Sequence, residues 1–262
     1  MMEKKIFNDL EKLGYFIIPN LIDDQWIDRL GLAIDSSFEI HRKIQKENKN
    51  DIRSNGVALH VLLNDDVFVK FLQHLIDIGF VKGLSEYFFG SNCILNSFSA
   101  LNNLPSSPNF SSTVHRDLRF YSQGLPVMIN CLLMVDDFTN ENGATRLLPY
   151  SHLKEGKPSD EYFLKKSVQA TGKRGSMLIF DSNVWHSSAP NTTEHGRRGI
   201  PITISRSFLK QLLDYPRAIG YEKMGFFSQE LQQFLGYHSR VPASLDEWYQ
   251  PEDKRFYKKN QD

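Results

Sequence analysis

The chain has 262 residues, 40% hydrophobic and 24% charged, which is long enough for one substantial core or two small ones. Its 31 basic and 31 acidic residues cancel, so charge offers no argument for nucleic acid or a membrane surface as the main partner. No apolar run approaches a transmembrane helix in length, and the opening MMEKKIFNDLEKLGYF lacks the apolar stretch and cleavage site of a signal peptide. Cys93 and Cys131 each sit inside an apolar run and read as two buried free thiols rather than a disulfide. The expectation is a soluble cytoplasmic protein in which the sequons at Asn109 and Asn191 are chance matches.

The first ninety residues read as mostly helical. Ile6, Leu10 and Leu13 share one helix face, and Gly14 stops that helix. YFIIP (15–19) is a short apolar strand closed by proline. Asp23 and Asp24 can cap a second helix, in which Ile27, Leu30, Ile34 and Phe38 recur at helical spacing before a solvated end in KIQKENKND. Another apolar pattern starts at Asp65 (Val67, Phe68, Phe71, Leu72, Leu75) and runs on to Phe89, ending at Gly90. Beyond Gly90 the pattern shortens into β-like runs separated by turn residues: CILNSFSAL, the stretch around HRDLRFYS, VMINCLLMVDDF, ATRLLP, SMLIFD and IPITISRSFL. Many short strands without intervening helices predict a sandwich or barrel. The segment after about Leu209 reads as cover on the outside. The whole is expected to be one domain over 1–262: a helical part (1–90), a β core (about 91–210) and a C-terminal cover (211–262).

The stretch VHRDLRFYS carries the chemistry. HRDL is also the start of a protein-kinase catalytic loop, but the asparagine that loop requires is replaced by Ser122. No Gly-rich loop precedes the stretch and no Asp-Phe-Gly follows it. On a strand, residues i and i+2 project to the same side, so His115 and Asp117 point together and Arg116 points away. They read either as a surface pair or as two ligands of a metal site. His186, ending SMLIFDSNVWH at the end of a buried strand, is the candidate third ligand, the alternative being a satisfied core histidine. Two histidines and one carboxylate are the facial triad of non-haem Fe(II) oxygenases. Arg197 stands eleven residues beyond His186, at the head of a strand. An arginine there can hold the distal carboxylate of 2-oxoglutarate with a planar fork. Arg198 is the second choice for that role, and Ser188 can add a hydroxyl to the same carboxylate.

H-R-D, a long gap, W-H-S-S-A-P-N and an arginine eleven residues past the histidine resemble the phytanoyl-CoA dioxygenase family. GYFIIPNLIDDQWIDRL resembles that family's entry segment, and LLMVDDFTNENGATRLLPYSH its D-D-x-x-x-x-N-G-x-x-x-x-x-P-x-S-H segment, so the likeness runs from about residue 10 to about 210. The resemblance implies a mainly β fold with flanking helices around a double-stranded β-helix, a cupin-like jelly roll. It implies iron ligands at His115, Asp117 and His186, 2-oxoglutarate held by Arg197 with help from Ser188, and O2 as the oxidant. The implied reaction is oxidation of a small-molecule metabolite with release of succinate and CO2. Halogenating relatives replace the carboxylate ligand by a small residue, so Asp117 favours hydroxylation or another oxidation. His152 matches a structural position of the family, and Tyr150 stands where the P-G-S-H turn usually has glycine. Arg119, Tyr121 and Asn102 are candidates to face the cavity. The alternative is a jelly-roll metal- or sugar-binding protein that does not use 2-oxoglutarate; it has no need of Arg197. Neither the substrate nor the oligomeric state is legible in the sequence.

Overall fold

Helix α1 (Lys4–Leu13) stops where Gly14 takes a left-handed φ of +87°, and the chain turns straight into strand β1 (Tyr15–Ile18). The computed structural model of the protein describes residues 4–50, 56–105, 112–255, 257–259 and 261, with side chains from residue 8 onward. Asn109 lies outside them. Helix α2 (Asp24–Glu47) begins as the sequence predicts: the Asp23 carboxylate accepts from the Trp26 backbone N–H at 3.0 Å. Ile27, Leu30, Ile34 and Phe38 are its buried face, and the helix continues through the first half of KIQKENKND. After β2 (Val57–Ala58), the apolar pattern from Asp65 forms α3 (Asp66–Asp77) and α4 (Phe80–Leu84). The single run expected there is broken at Gly79, whose φ of +76° no helix residue adopts, and it ends at Gly90 with φ +65°.

The remaining elements are β3 (Cys93–Phe98), β4 (Ala100–Asn103), β5 (Met128–Met134), β6 (Arg146–Leu147), α5 (Asp160–Lys166), β7 (Val168–Gln169), β8 (Met177–Asp181), β9 (His186–Ser187), β10 (Arg197–Arg206), α6 (Tyr215–Ile219), α7 (Gln229–Leu235) and α8 (Leu245–Trp248). Seven strands form one antiparallel sheet in the order β1-β8-β5-β10-β4-β2, with β3 also paired to β10; β7-β6-β9 form a second. Side chains of β5, β8 and β10 alternate between two cores. Ile129, Cys131, Leu133, Met177, Ile179, Ile200, Ile202 and Ile204 face the helices. Leu132, Met134, Leu178 and Phe180 face the small sheet and meet Phe138, Leu147 and Val184.

Three expectations need correction. HRDLRFYS is not a strand: His115 makes a single antiparallel bridge to His186, and Asp117–Phe120 bend away. Its Leu118 N–H bonds the Ser182 carbonyl at 3.1 Å, which ties it to a loop instead of a ladder. Strand β10 starts at Arg197 rather than Ile200, because Arg197–Gly199 pair with Leu101–Asn103. The C-terminal segment is not only cover: Tyr215, Leu231, Phe234, Leu235 and Tyr237 belong to the main core. The thiols of Cys93 and Cys131 are free and buried, and burial pushes both upward, Cys93 to about 11. Among the described residues no helix is long and apolar enough to cross a membrane.

Candidate functional site

The bridge between His115 and His186 sets the centre. Each backbone N–H bonds the other residue's carbonyl, at 3.0 and 2.8 Å, so the two side chains stand next to each other with ring centroids 4.3 Å apart. Asp117 curls back between them: its Oδ1 lies 3.5 Å from His115 Nε2 and its Oδ2 lies 3.5 Å from His186 Nε2. One ligand atom from each residue falls within 4.8 Å of the others, and no other such group occurs among the described residues. The i, i+2 argument expected a strand to aim His115 and Asp117 together; a bridge and a bend do it instead.

Both rings are held in the tautomer a metal needs. Nδ1 of His115 faces the Thr113 carbonyl at 2.7 Å and Nδ1 of His186 faces the Val184 carbonyl at 3.0 Å. A carbonyl only accepts, so each Nδ1 carries a proton, and in the neutral ring each Nε2 keeps its lone pair toward the centre. The charges suit a cation. Burial opposes ionisation of Asp117, but the two imidazoles and the Asn130 amide outweigh it and hold the carboxyl below its usual range. Burial lowers His186, which favours the neutral, ligating form. Burial also works against charge on His115, but Asp117 prevails and raises it. Phe180 packs edge-on against His186 at 4.8 Å and closes the inner wall. Two imidazoles and a carboxylate are the donor set that fits Fe(II).

Arg197 and Arg198 part company by strand alternation. Arg198 points toward α2: Nη1 bonds Asp35 of that helix at 3.0 Å, and Nη2 bonds Asp136, just past β5, at 2.9 Å. Arg197 points between the sheets, 1% exposed, with its guanidinium 3.9 Å from the centre of the Phe138 ring. Nη2 donates to the Gly143 carbonyl at 3.0 Å, while Nε and Nη1 are buried without a partner. Burial pushes its pKa down to about 10, with Asp136 the charge that resists the fall. A buried cation with two unpartnered nitrogens is suited to an anion. Ser188 is buried two residues past His186.

The other expected positions resolve as framework. Arg116 stacks on Trp185 at 4.3 Å and donates to the carbonyls of Lys154 and Glu155, away from the centre. Tyr121 donates to the Leu153 carbonyl and Arg119 is exposed. Asn102 pairs with Arg198 in the sheet, and its N–H bonds the Gly56 carbonyl. His152 is a packing residue: its Nε2 meets the Glu11 carbonyl at 2.9 Å, and its ring fills the space where Gly14 lacks a side chain. Sequence reasoning missed Asn130, whose amide donates to Asp117 Oδ2 at 2.8 Å. The signal was there, one polar side chain inside VMINCLLMV.

These features are a two-histidine, one-carboxylate centre, buried at His186 and partly exposed at His115 and Asp117, and a buried arginine between antiparallel sheets. A family model described as phytanoyl-CoA dioxygenase (PhyH) matches residues 10–199. The chain is 31% identical over 261 residues to an uncharacterized protein of Mycobacterium tuberculosis, covering 96% of this chain and 93% of that one. It is 29% identical to the dioxygenase FUM3 of Gibberella moniliformis, covering 92% and 84%. In fold it is similar to the non-heme alpha ketoglutarate dependent epimerase SnoN from nogalamycin biosynthesis, with a TM-score of 0.56 and 17% identity over 77% of this chain and 80% of that one. The antiparallel core with flanking helices is thus the cupin-like double-stranded β-helix expected from the sequence. The chain belongs to the phytanoyl-CoA dioxygenase family. It is accordingly an oxidoreductase of the dioxygenase class.

Proposed function

We propose that this protein is an Fe(II)- and 2-oxoglutarate-dependent dioxygenase that hydroxylates or otherwise oxidises a small-molecule metabolite, with release of succinate and CO2. The observation that carries the reading is the pairing of two complementary receptors on the inner face of the sheets. One is a cation receptor made by His115, Asp117 and His186, with its ligand atoms within 4.8 Å of one another. The other is an anion receptor made by Arg197, with two buried donors unpartnered. A binding protein that did not use 2-oxoglutarate would have no need to keep the second.

Iron with 2-oxoglutarate and O2 supplies the oxidising power, and the protein supplies place and shelter. His115 and His186 offer Nε2, and Asp117 offers a carboxylate oxygen. Arg197 would hold the distal carboxylate of the cosubstrate, with the Ser188 hydroxyl beside it. Phe138 packs on the Arg197 guanidinium and Phe180 on the His186 ring, so each receptor has one apolar wall. Asp117 provides the carboxylate that a halogenating site would lack. The whole chain acts as one oxygenase domain, since the main core takes residues from the N-terminal helices, the large sheet and the C-terminal helices alike.

Anaerobically purified protein loaded with Fe(II) should bind 2-oxoglutarate in a calorimeter, and His115→Ala or Asp117→Ala should lose iron. Absence of 2-oxoglutarate binding, together with unchanged metal content in those variants, would refute the proposal. Succinate production across a panel of metabolites then identifies the substrate class.

A further inference from the structure

The ligand Asp117 stands on the least regular part of the site. It follows a single bridge, and the four residues from Asp117 to Phe120 are bends. The backbone around this carboxylate is held only by the His115 bridge before it and the Leu118 N–H to the Ser182 carbonyl after it, neither of which fixes the side chain. Asn130, by contrast, lies in β5, which is paired on one side with β8 (Asn130 opposite Phe180) and on the other with β10 (Asn130 opposite Thr203). It is 7% exposed. Its Nδ2 donates to Asp117 Oδ2 at 2.8 Å and to Ser182 Oγ at 2.9 Å, and its Oδ1 accepts from Thr203 Oγ1 at 2.9 Å.

Chemistry fixes which way the amide faces. An ionised carboxylate only accepts, so Asn130 must turn its NH2 toward Asp117. That leaves its carbonyl toward β10, where the Thr203 hydroxyl stands directly across the ladder and donates. The chain Thr203–Asn130–Asp117 therefore runs from two rigid strands to a carboxylate on a bend, with every amide hydrogen-bonding group in use. One Asp117 oxygen is engaged by the sheet, and the other is left for a metal.

We infer that Asn130, oriented by Thr203, is a positioning residue that fixes the Asp117 carboxylate for one-oxygen metal ligation. This rests on the proposed metal site at His115, Asp117 and His186 and adds to it the part of the sheet that holds the site ready. An alternative role, a polar group satisfied in the core and nothing more, makes different predictions for the metal.

The test is Co(II) binding to the whole apoprotein, followed by calorimetry and by the visible Co(II) absorption bands, in wild type, Asn130→Leu, Thr203→Val and Asp117→Ala. Asn130→Leu keeps the branched shape, with a somewhat larger side chain, and removes the donor to Asp117. It is expected to lower Co(II) affinity about 10- to 100-fold and to shift the absorption bands, with the far-ultraviolet spectrum of the apoprotein unchanged. Thr203→Val frees the amide to turn and should lower affinity by a smaller factor, about 2- to 10-fold, the worth of one neutral hydrogen bond. It also supplies the readout if Asn130→Leu does not fold. Wild-type affinity and an unshifted spectrum in both variants, while Asp117→Ala loses Co(II), would overturn the inference and leave the metal site standing. Retention of Co(II) by Asp117→Ala would instead overturn the metal site itself.

Discussion

A guanidinium at 1% exposure with two nitrogens unpartnered is a destabilising thing for a fold to retain, and in Arg197 it is retained beside an aromatic wall. On the proposed function, a bound carboxylate would offset that cost. Arg197→Lys keeps the charge and loses the fork, so 2-oxoglutarate affinity is expected to fall about 10- to 100-fold, measured by calorimetry on the iron-loaded protein. 2-Oxoglutarate should also raise the melting temperature of the wild type, and that increment should shrink in the variant. Tyr150 holds strain of another kind. It takes φ +64°, a conformation that glycine adopts without cost, and it is exposed. Removing the left-handed penalty is partly offset by the greater freedom of glycine in the unfolded chain. Tyr150→Gly is therefore expected to raise unfolding free energy by up to about 1 kcal/mol in urea titrations, with metal affinity unchanged.

At the scale of elements, strand β10 decides the site. Its alternation sends Arg198 out to Asp35 on α2 and Arg197 in between the sheets, and it sets Thr203 opposite Asn130. The loop holding Gly143 completes the arginine's seat. The Gly143 carbonyl accepts from Arg197 and also from the Asn103 amide, which binds the Ala189 carbonyl as well. Gly143 has φ +77°, and a Cβ there would lie 2.3 Å from both the Ala189 oxygen and Asn103 Nδ2. Gly143→Ala must move that junction. It is expected to cost about 1–3 kcal/mol of stability and to weaken 2-oxoglutarate binding, while metal affinity, which depends on other segments, changes little. Thermal melts alongside calorimetry separate the two effects.

At the scale of the whole molecule, the C-terminal helices complete the core. The fully buried Tyr215 accepts the Phe98 backbone N–H at 2.9 Å and shares its hydroxyl with His60 Nδ1 at 3.1 Å. This joins the segment after the sheet to β3 and to the turn before α3. Tyr215→Phe leaves that N–H buried and unpaired and is expected to lower stability by about 1–3 kcal/mol in denaturant titrations. A change near zero would mean that the hydroxyl adds nothing to the apolar packing of this segment.

The parts legible in the sequence are those written in near neighbours. The cap at Asp23, the buried stripe of α2, the stop at Gly14 and the apolar runs of β5 and β8 follow from spacing that a few residues determine. The residue types of the centre were legible too, because His-x-Asp, a later histidine and an arginine are chemically sufficient for iron and a dicarboxylate. The route to convergence was not. It depends on a two-residue strand meeting a bend across 71 positions, from His115 to His186, which no local period encodes. The choice of Arg197 over Arg198 needed the start of β10, and the start was set by pairing with β4 rather than by its own residues. Asn130 read as an interruption of an apolar run until the fold set Thr203 on one side of it and Asp117 on the other. The sequence by itself determined which groups were available and the local shape of most of the elements. Only the tertiary structure decided which groups meet, because pairing between distant strands is settled by the packing of the whole core and not by the residues at the meeting point.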